Sequence, residues 1–509
     1  MRVRTSLAAV AFVFVGQSLA SGQAGLASLV EAVESRDRVA ATRLIEEGID
    51  VNTPAPDGTT ALHWAVHHDD VELVARLIEA GADPTKTNDY GATPMSEAAV
   101  VGNVEVIERL LDAGADVESP NLDGQTALMV VARTSNVEAA RLLLDRGADV
   151  NRVERWRGQT ALIWAAAQGQ VAMVRELAAR GADVNARSVV NNWERQVTGE
   201  PRAIHRPAGG VTALLYAVRE GCLECGQALV EAGADPGMAD PEGVTPLIMA
   251  ITNGHYDIAA YLLSVGVDPD RWDWWGRTPL WAAVDMNTLP HGGRPDLPSL
   301  DRTTSIEIIE RLLDAGVNPN PQLKLLPPYR SVGADRGADT VLRMGATPLL
   351  RAAKAFDAPV IRLLLEAGAR TDIPNSQGAI PMTVAGGLGS GIGDTRGWFA
   401  TADVEQRSID SLELLLAAGA GVDSVETGSG RTALHGAAAW GWNDVVRFLL
   451  DRGADINAAD RGGLTPLDAA MGRTGRRGPG EVREETAALI EELGGVSGAP
   501  PAGPGPPGR

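Results

Sequence analysis

The sequence contains few aromatic residues, few lysines and only two cysteines. Aromatic residues make up 4% of the 509 residues, which suits thin helices packed close together and excludes a deep aromatic core. Lysine occurs only three times, a bias that genome composition explains as readily as function. The formal net charge of −21 argues against nucleic acid as the main partner, because binding to phosphates requires clustered cations. Basic proteins or divalent ions are easier partners.

A long apolar run is also missing. The run at residues 7–15, which follows Arg2 and Arg4, is shorter than the ~20 residues that a membrane-spanning helix needs. With the small residues at 18–20, it is typical of a cleaved export signal over residues 1–20. No cysteine follows for lipid attachment, so we expect a periplasmic or secreted protein without stable membrane insertion. An uncleaved helix that caps the fold is the alternative.

One unit recurs through most of the chain and is clearest at residues 431–463. Thr432 can cap a short helix in which apolar residues recur at helical spacing. Gly441 ends this pattern, and a second apolar helix follows before Gly453, which suits a left-handed closing residue. A polar turn then leads to the next copy. The unit is therefore a pair of short helices followed by a turn.

The TALH start, the LLDRGADIN end and the period of about 33 residues resemble the ankyrin repeat. This resemblance implies an all-α solenoid of stacked repeats with short β-turn or hairpin tips. Matching starts lie at Thr60, Thr93, Thr126, Thr160, Thr212, Thr245, Thr278, Thr347, Ile380, Thr432 and Thr465. With a degenerate first copy near residues 25–58, we expect about twelve repeats over residues 25–493. The Pro- and Gly-rich tail at 494–509 should be disordered.

Four insertions interrupt the period, near residues 186–210, 288–304, 321–345 and 386–408. The first and third enlarge turns between repeats, whereas the second and fourth separate the two helices of one repeat. A decayed thirteenth repeat between Thr278 and Thr347 is an alternative, although only one matching repeat end occurs there.

The two enlarged turns are locally basic, and a turn tip with three tryptophans lies between them in the sequence. Arginine and tryptophan are favoured where one protein binds another, through bidentate hydrogen bonds and stacking. Trp440 lies near the end of a first helix, where family members vary their contact surface. The candidate partner-binding residues are Trp193, Arg195, Arg202, Arg206, Trp272, Trp274, Trp275, Tyr329, Arg330, Arg336 and Trp440. Alternatively, the tryptophans pack against neighbouring turns and the arginines pair with the protein's own carboxylates.

Cys222 and Cys225 form a C-L-E-C motif at the start of a second helix. In an exported protein this spacing favours a local disulfide, and two structural thiols or a redox-active pair are the alternatives. No thioredoxin-like βαβ pattern surrounds the motif. Cys225 replaces the usual branched aliphatic residue of this helix, which favours a buried role.

Other motifs do not indicate a catalytic or metal site. His63, His67 and His68 could contribute to a metal site. The resemblance instead gives His63 a hydrogen-bonding role, as it does His435, which leaves two adjacent histidines that point apart. The glycine-rich segment GGLGSGIG lacks the spacing of a phosphate loop and of a nucleophile elbow. We therefore expect no enzyme activity, no cofactor and no metal.

The family resemblance implies a scaffold that binds a protein partner through a concave face, formed by turn tips and first helices, and we expect a monomer. It does not identify that partner. An accessory or redox protein that uses Cys222 and Cys225, and a structural envelope component, are the alternatives.

Overall fold

The structure is a computed structural model that describes residues 28–195, 204–287, 301–325, 341–389, 402–473 and 480–498. The chain forms two compact units. The first runs to Asn191 and continues over Pro207–Pro236, and the second contains Asn192–Arg206 and the residues from Gly237 onward. The expected export signal at residues 1–20 lies outside the described residues.

The first unit is built from short helices in consecutive pairs. They are α1 (Leu29–Glu34), α2 (Arg38–Glu46), α3 (Ala61–His67), α4 (Val71–Glu79), α5 (Pro94–Val101), α6 (Val104–Asp112), α7 (Ala127–Thr134), α8 (Val137–Asp145), α9 (Ala161–Ala167), α10 (Val171–Ala179), α11 (Ala213–Glu220) and α12 (Leu223–Glu231). Between α10 and α11 in the sequence, strands β1 (Val190–Arg195) and β2 (Ile204–Gly209) form a two-stranded sheet, of which residues 192–195 and 204–206 are grouped with the second unit. The enlarged turn expected near residues 186–210 therefore contains a pair of strands.

The second unit repeats the same helix pairs. They are α13 (Pro246–Asn253), α14 (Tyr256–Ser264), α15 (Pro279–Asn287), α16 (Ser305–Asp314), α17 (Pro348–Lys354), α18 (Ala358–Glu366), α19 (Pro381–Ala385), α20 (Val404–Ala417), α21 (Ala433–Trp440), α22 (Asn443–Asp451), α23 (Pro466–Ala470) and α24 (Glu484–Glu492). Within each unit, successive first helices contact one another. The expected all-α solenoid is confirmed, with twelve helix pairs in the described part of the chain. No described helix has both the length and the apolar character needed to cross a membrane.

Local side-chain chemistry fixes where the helices begin and end. The Thr126 hydroxyl, which precedes the first helix α7, accepts a hydrogen bond from the Met129 amide at 3.3 Å. The Asn136 side chain, which precedes the second helix α8, accepts one from the Ala139 amide at 3.0 Å. Gly147 closes α8 with φ of 95°, a conformation that strains other residues. The paired helices thus follow from the sequence of each repeat.

Asparagine side chains join neighbouring repeats in the first unit. The Asn151 amide donates to the Gly181 carbonyl at 3.1 Å, and its oxygen accepts from the Asp183 amide at 2.7 Å. Asn185 makes equivalent bonds to Gly233 and Asp235 at 3.3 and 2.9 Å. The NH2 group and the oxygen of each asparagine side chain both hydrogen-bond to the next repeat. These paired bonds therefore fix the register between repeats.

The insertion near residues 321–345 contributes to the core of the second unit at both of its described ends. A buried apolar cluster contains Trp281, Leu323, Val341, Leu342, Ala346, Leu350, Ala379 and Val384. The Trp281 indole N–H donates to the Ala346 carbonyl at 3.2 Å. These ends are therefore packed against the repeats on either side.

Two boundaries differ from the sequence expectation. Helix α20 begins at Val404, so residues 404–408, expected to be inserted loop, are helical. Residues 494–498, expected in a disordered tail, lie against the last repeat.

Asp468 explains the ordered start of the tail, because this buried carboxylate needs donors. The Gly498 amide and the Ser497 hydroxyl donate to it at 2.7 and 2.6 Å. Burial alone would raise the pKa of Asp468, but hydrogen bonds from Ser497, Thr465 and Gly498 lower it to about 2.

Candidate functional site

A groove with a volume of about 940 Å³ opens on the first unit. It is formed by the turn tip at residues 152–158, which precedes α9, and by the first helices α7, α9 and α11. We call it the first-unit groove. Its lining includes Arg133, Trp156, Arg157, Trp164, Tyr216 and Arg219. This combination of turn tip and first helices is the kind of surface at which the family resemblance led us to expect partner binding.

A chain of contacts organises one wall of the first-unit groove. The Trp164 indole N–H donates to Gln159 Oε1 at 3.1 Å, and Gln159 Nε2 donates to the Tyr216 hydroxyl at 2.8 Å. The guanidinium group of Arg133 lies 4.9 Å from the Trp164 ring centroid, and that of Arg219 lies 4.6 Å from the Tyr216 centroid. The two rings and the two cations therefore hold one another in place.

Glu154 shapes the turn tip at residues 152–158. Its side chain is only 3% exposed and accepts hydrogen bonds from the amides of Trp156, Arg157 and Gln159 at 2.6, 2.7 and 3.0 Å. These bonds fix the carboxylate beneath the tip. Trp156 above it is 71% exposed, which makes its indole available for contact.

The tip at residues 272–276 corrects one of the predicted contact residues. Trp272 and Trp274 are exposed, but Trp275 is 2% exposed, so the alternative that it packs inside the protein holds and it is not a contact residue. The Asp273 carboxylate accepts from the amides of Trp275 and Arg277 at 3.0 and 2.9 Å, and this tight turn directs the Trp275 ring inward. Lys324 Nζ lies 3.1 Å from the Trp272 ring centroid, so one face of that indole is covered.

Trp440 is also engaged within the second unit. Its indole N–H donates to the Gly387 carbonyl at 3.0 Å. Its ring stacks on Trp442 at a centroid distance of 5.7 Å. The predicted contact residue therefore holds the start of the 386–408 insertion, and only part of its ring is exposed.

The remaining predicted contact residues cannot be placed as side chains. Trp193 and Arg195 lie in β1 and Arg206 lies in β2, but their side chains are outside the described part of the structure. The other members of this set lie wholly outside it: Arg202, Tyr329, Arg330 and Arg336. Their roles stay predictions.

Cys222 and Cys225 are joined by a disulfide in the structure. Cys222 caps α12 and is partly exposed, whereas Cys225 is fully buried in the first turn of that helix. The disulfide thus joins a partly exposed residue to a buried residue at the start of a second helix.

His63 and His435 have equivalent positions and equivalent bonds. The Nδ1 atom lies 2.8 Å from the Thr60 hydroxyl in one repeat and 2.9 Å from the Thr432 hydroxyl in the other. The Nε2 atoms lie 3.0 and 3.1 Å from backbone carbonyls of the following repeat. Burial lowers the pKa of both side chains, because an imidazolium loses its hydration there.

The neighbouring histidines do not form a metal cluster with His63. His67 lies 3.4 Å from the Glu97 carboxylate, and His68 Nε2 lies 3.1 Å from the Glu34 carbonyl. Over the described ranges, no group of three or more His, Cys, Asp or Glu residues could hold a metal ion.

The sequence pattern described as "Ankyrin repeats (3 copies)" matches residues 29–121, 102–188, 214–323 and 400–477. The chain belongs to the ankyrin-repeat family. Ankyrin repeats are protein–protein interaction modules, and the expected family membership is confirmed.

Several relatives share only part of their length with this ankyrin-repeat chain. The nuclear factor NF-kappa-B p105 subunit of Gallus gallus is 34% identical over 177 residues, which cover 34% of this chain and 14% of that protein. The serine/threonine-protein kinase VIK of Arabidopsis thaliana is 42% identical over 67 residues, 13% of this chain and 14% of the kinase. The neurogenic locus Notch protein of Drosophila melanogaster is 36% identical over 97 residues, 18% of this chain and 3% of Notch.

The human ASB11 ankyrin repeat domain is a similar solved structure. It is 22% identical in sequence, has a TM-score of 0.39, and its match covers 48% of this chain and 99% of that domain.

Sequence reasoning missed the residues of the first-unit groove. A signal was available, because the tip ERWRG at residues 154–158 places Trp156 between two arginines in a chain with a net charge of −21. Trp164 and Tyr216 also occupy the fourth position after the capping threonine, on the first-helix face. Neither feature adds a motif, which is why a search for motifs passed over them.

Proposed function

We propose that this chain is a non-enzymatic scaffold that binds a protein partner in the first-unit groove. One observation carries the proposal: an open groove on the turn tips and first helices is lined by ordered aromatic rings and arginines. Tryptophan, tyrosine and arginine contribute most of the binding energy at protein interfaces. The family supports the general role, since ankyrin repeats bind proteins.

The groove is ordered before a partner arrives. Trp164, Gln159 and Tyr216 are held by mutual hydrogen bonds, and Trp156 stands on a tip fixed by Glu154. Binding then orders few additional side chains, which lowers its entropic cost. A monomer is sufficient for this surface, because all of its residues come from one unit of one chain.

Affinity capture tests this proposal. The tagged mature protein is incubated with an envelope extract of its native host, and retained proteins are compared with those retained by a Trp156→Ala, Tyr216→Ala variant. We expect the variant to lose the partner, because both aromatic contacts are removed. Val39→Ala is the matched control, since Val39 is exposed on the second helix α2. Equal capture by all three proteins would contradict the proposal.

We also propose that the scaffold acts outside the cytoplasm. The pattern of residues 1–20 and the Cys222–Cys225 disulfide both suit export to an oxidising compartment. N-terminal sequencing of the protein from its host should give a start near Ser21. An intact Met1 on cytosolic protein would refute export.

A redox function is the second candidate, and the placement of the cysteines favours it. Cys222 is partly exposed at the start of α12 with Cys225 buried behind it, so an incoming thiolate can reach one sulfur. Alkylation with and without reductant separates the two functions. A bond that is reduced slowly supports a structural role, and rapid reduction followed by rapid alkylation supports redox activity.

A further inference from the structure

The arginines of the first unit fall into two groups. Among its described residues, Arg133, Arg152, Arg155 and Arg157 have exposed side chains that make no hydrogen bond or ion pair. Every other described arginine of this unit contacts a carboxylate, an imidazole or a carbonyl. Examples are Arg141 of α8 with Glu176 at 2.8 Å and Arg180, which follows α10, with Asp145 at 2.6 Å.

The arginines without a polar partner lie together. Three are on the turn tip at residues 152–158, and Arg133 is in the last turn of α7. Arg133 and Arg157 both line the first-unit groove. Carboxylates are plentiful in a chain with a net charge of −21. Arginines that do not pair with them are therefore available as cationic donors at the first-unit groove.

The hydrogen-bonding groups of Arg133 have no polar partner among the described residues. Its guanidinium carbon lies over the Trp164 ring, 4.9 Å from the ring centroid. The N–H groups on the edge remain able to donate a bidentate pair to a carboxylate. Because Gln159 holds Trp164, the position of this cation is set in advance.

Two of the three carboxylates that line the groove already have hydrogen-bond donors of their own. Glu154 is occupied by three backbone amides, and Glu220 pairs with Arg219 at 3.0 Å. Asp123 is the remaining acidic residue of the lining. The groups available to a ligand are therefore mainly cationic and aromatic.

We propose that the first-unit groove binds an extended acidic peptide segment that carries an aromatic side chain. This inference rests on the proposed function and specifies its partner. Carboxylates of the segment pair with Arg133 and Arg157, and its ring packs on Trp156 between Arg155 and Arg157. The acidic remainder of the protein repels acidic segments elsewhere, which favours this one register.

A fluorescence-anisotropy titration tests the proposal on the full mature chain. The probe is a fluorescein-labelled peptide with glutamates at alternate positions and one central phenylalanine, and its counterpart has glutamine for each glutamate. We expect the acidic peptide to bind at least about tenfold more tightly than the neutral one, because glutamine side chains cannot form the charged hydrogen bonds that glutamates form with arginine. Added salt should weaken only the acidic complex.

Two charge-matched variants locate the binding. Arg133→Gln with Arg157→Gln should weaken the acidic complex by about tenfold or more, since two carboxylate partners are removed. Arg141→Gln with Arg175→Gln removes the same charge from second helices and should leave the affinity within about twofold. Circular dichroism establishes that both variants keep their helices.

Three results would overturn the inference: equal binding of the acidic and neutral peptides, equal loss in both variants, or preferential binding of a single-stranded oligonucleotide. The proposed function fails separately. It fails if the native partner is still captured after Trp156→Ala and Tyr216→Ala, whatever the peptide does. It stands, and only the acidic ligand is wrong, if capture is lost while the acidic peptide does not bind.

Discussion

The first helices α9 and α17 start alike but carry side chains of different chemistry at the same position. The capping hydroxyls of Thr160 and Thr347 accept hydrogen bonds from the amides three residues later, at 3.3 and 3.1 Å. Four residues after each threonine the side chain differs. Trp164 is 9% exposed and presents one part of its ring to the first-unit groove, whereas Arg351 is fully buried and donates from Nε to Asp285 at 2.6 Å.

The next turn of each helix extends the contrast. Ala167 of α9 is small and lines the groove, while Lys354 of α17 is buried and donates to the Gly389 carbonyl at 3.2 Å. The repeat register fixes the direction of a side chain. Whether that side chain meets solvent or protein depends on non-repeated segments such as the one that contains Gly389.

The largest expected effect comes from breaking the buried pair of α17. Asp285→Ala leaves the Arg351 cation without its carboxylate, and this should destabilise the second unit by ~3–5 kcal/mol. Urea unfolding followed by circular dichroism measures the loss. Adding Arg351→Met to Asp285→Ala should recover much of it, because the unpaired guanidinium group is then removed as well. A loss below ~1 kcal/mol for Asp285→Ala would show that Arg351 is stabilised by other groups.

A smaller effect is expected where equivalent positions have equivalent surroundings. His435→Ala removes the hydrogen bonds to Thr432 and to the Leu464 carbonyl and should cost ~1–3 kcal/mol, and His63→Ala should cost about the same. Matching losses would support the rule that surroundings decide the role of a repeat position. A loss confined to one of the two variants would break it.

The same histidines give a pH dependence with a definite sign. Burial lowers the pKa of His63 and His435, so below about pH 6.5 the unfolded chain binds more protons than the folded chain. The stability that these two histidines contribute to the folded state is fully present above that pH and is lost as the pH falls. The urea midpoint of the native protein should therefore drop more between about pH 7 and about pH 5 than that of a His63→Gln, His435→Gln variant. Parallel curves would contradict this assignment.

The smallest expected effect separates the two groups of arginines in the first unit. Arg141→Gln removes an exposed ion pair and should cost ~0–1 kcal/mol, whereas Arg157→Gln should leave stability unchanged. Comparing urea midpoints at low and high salt measures both. If Arg157→Gln is the more destabilising change, the Arg157 guanidinium group stabilises the folded state and is not available to bind a ligand in the groove.

The helix pairs could be predicted because their signals are local. A threonine cap, a closing glycine and the His63 and His435 positions each act within a few residues or on the next copy. The period then places every copy in register. The all-α architecture and the family therefore followed from the sequence.

The contact surface could not be predicted in the same way, because it depends on tertiary packing. Trp275 belongs to a tip whose sequence suggests exposure. The hydrogen bond from its amide to Asp273 belongs to a tight turn in which the Trp275 side chain is buried. Residues 494–498 resemble a disordered tail, yet Asp468 binds them. The groove residues Trp156 and Arg157 have meaning only with Arg133 and Trp164 beside them.

Hydrogen exchange of the full protein, alone and with its captured partner, tests the central claim most directly. We expect protection of the amides at residues 152–158 and in α9 and α11, because a partner in the first-unit groove covers these elements. Protection confined to second helices or to the second unit, with exchange at residues 152–158 unchanged, would contradict the account.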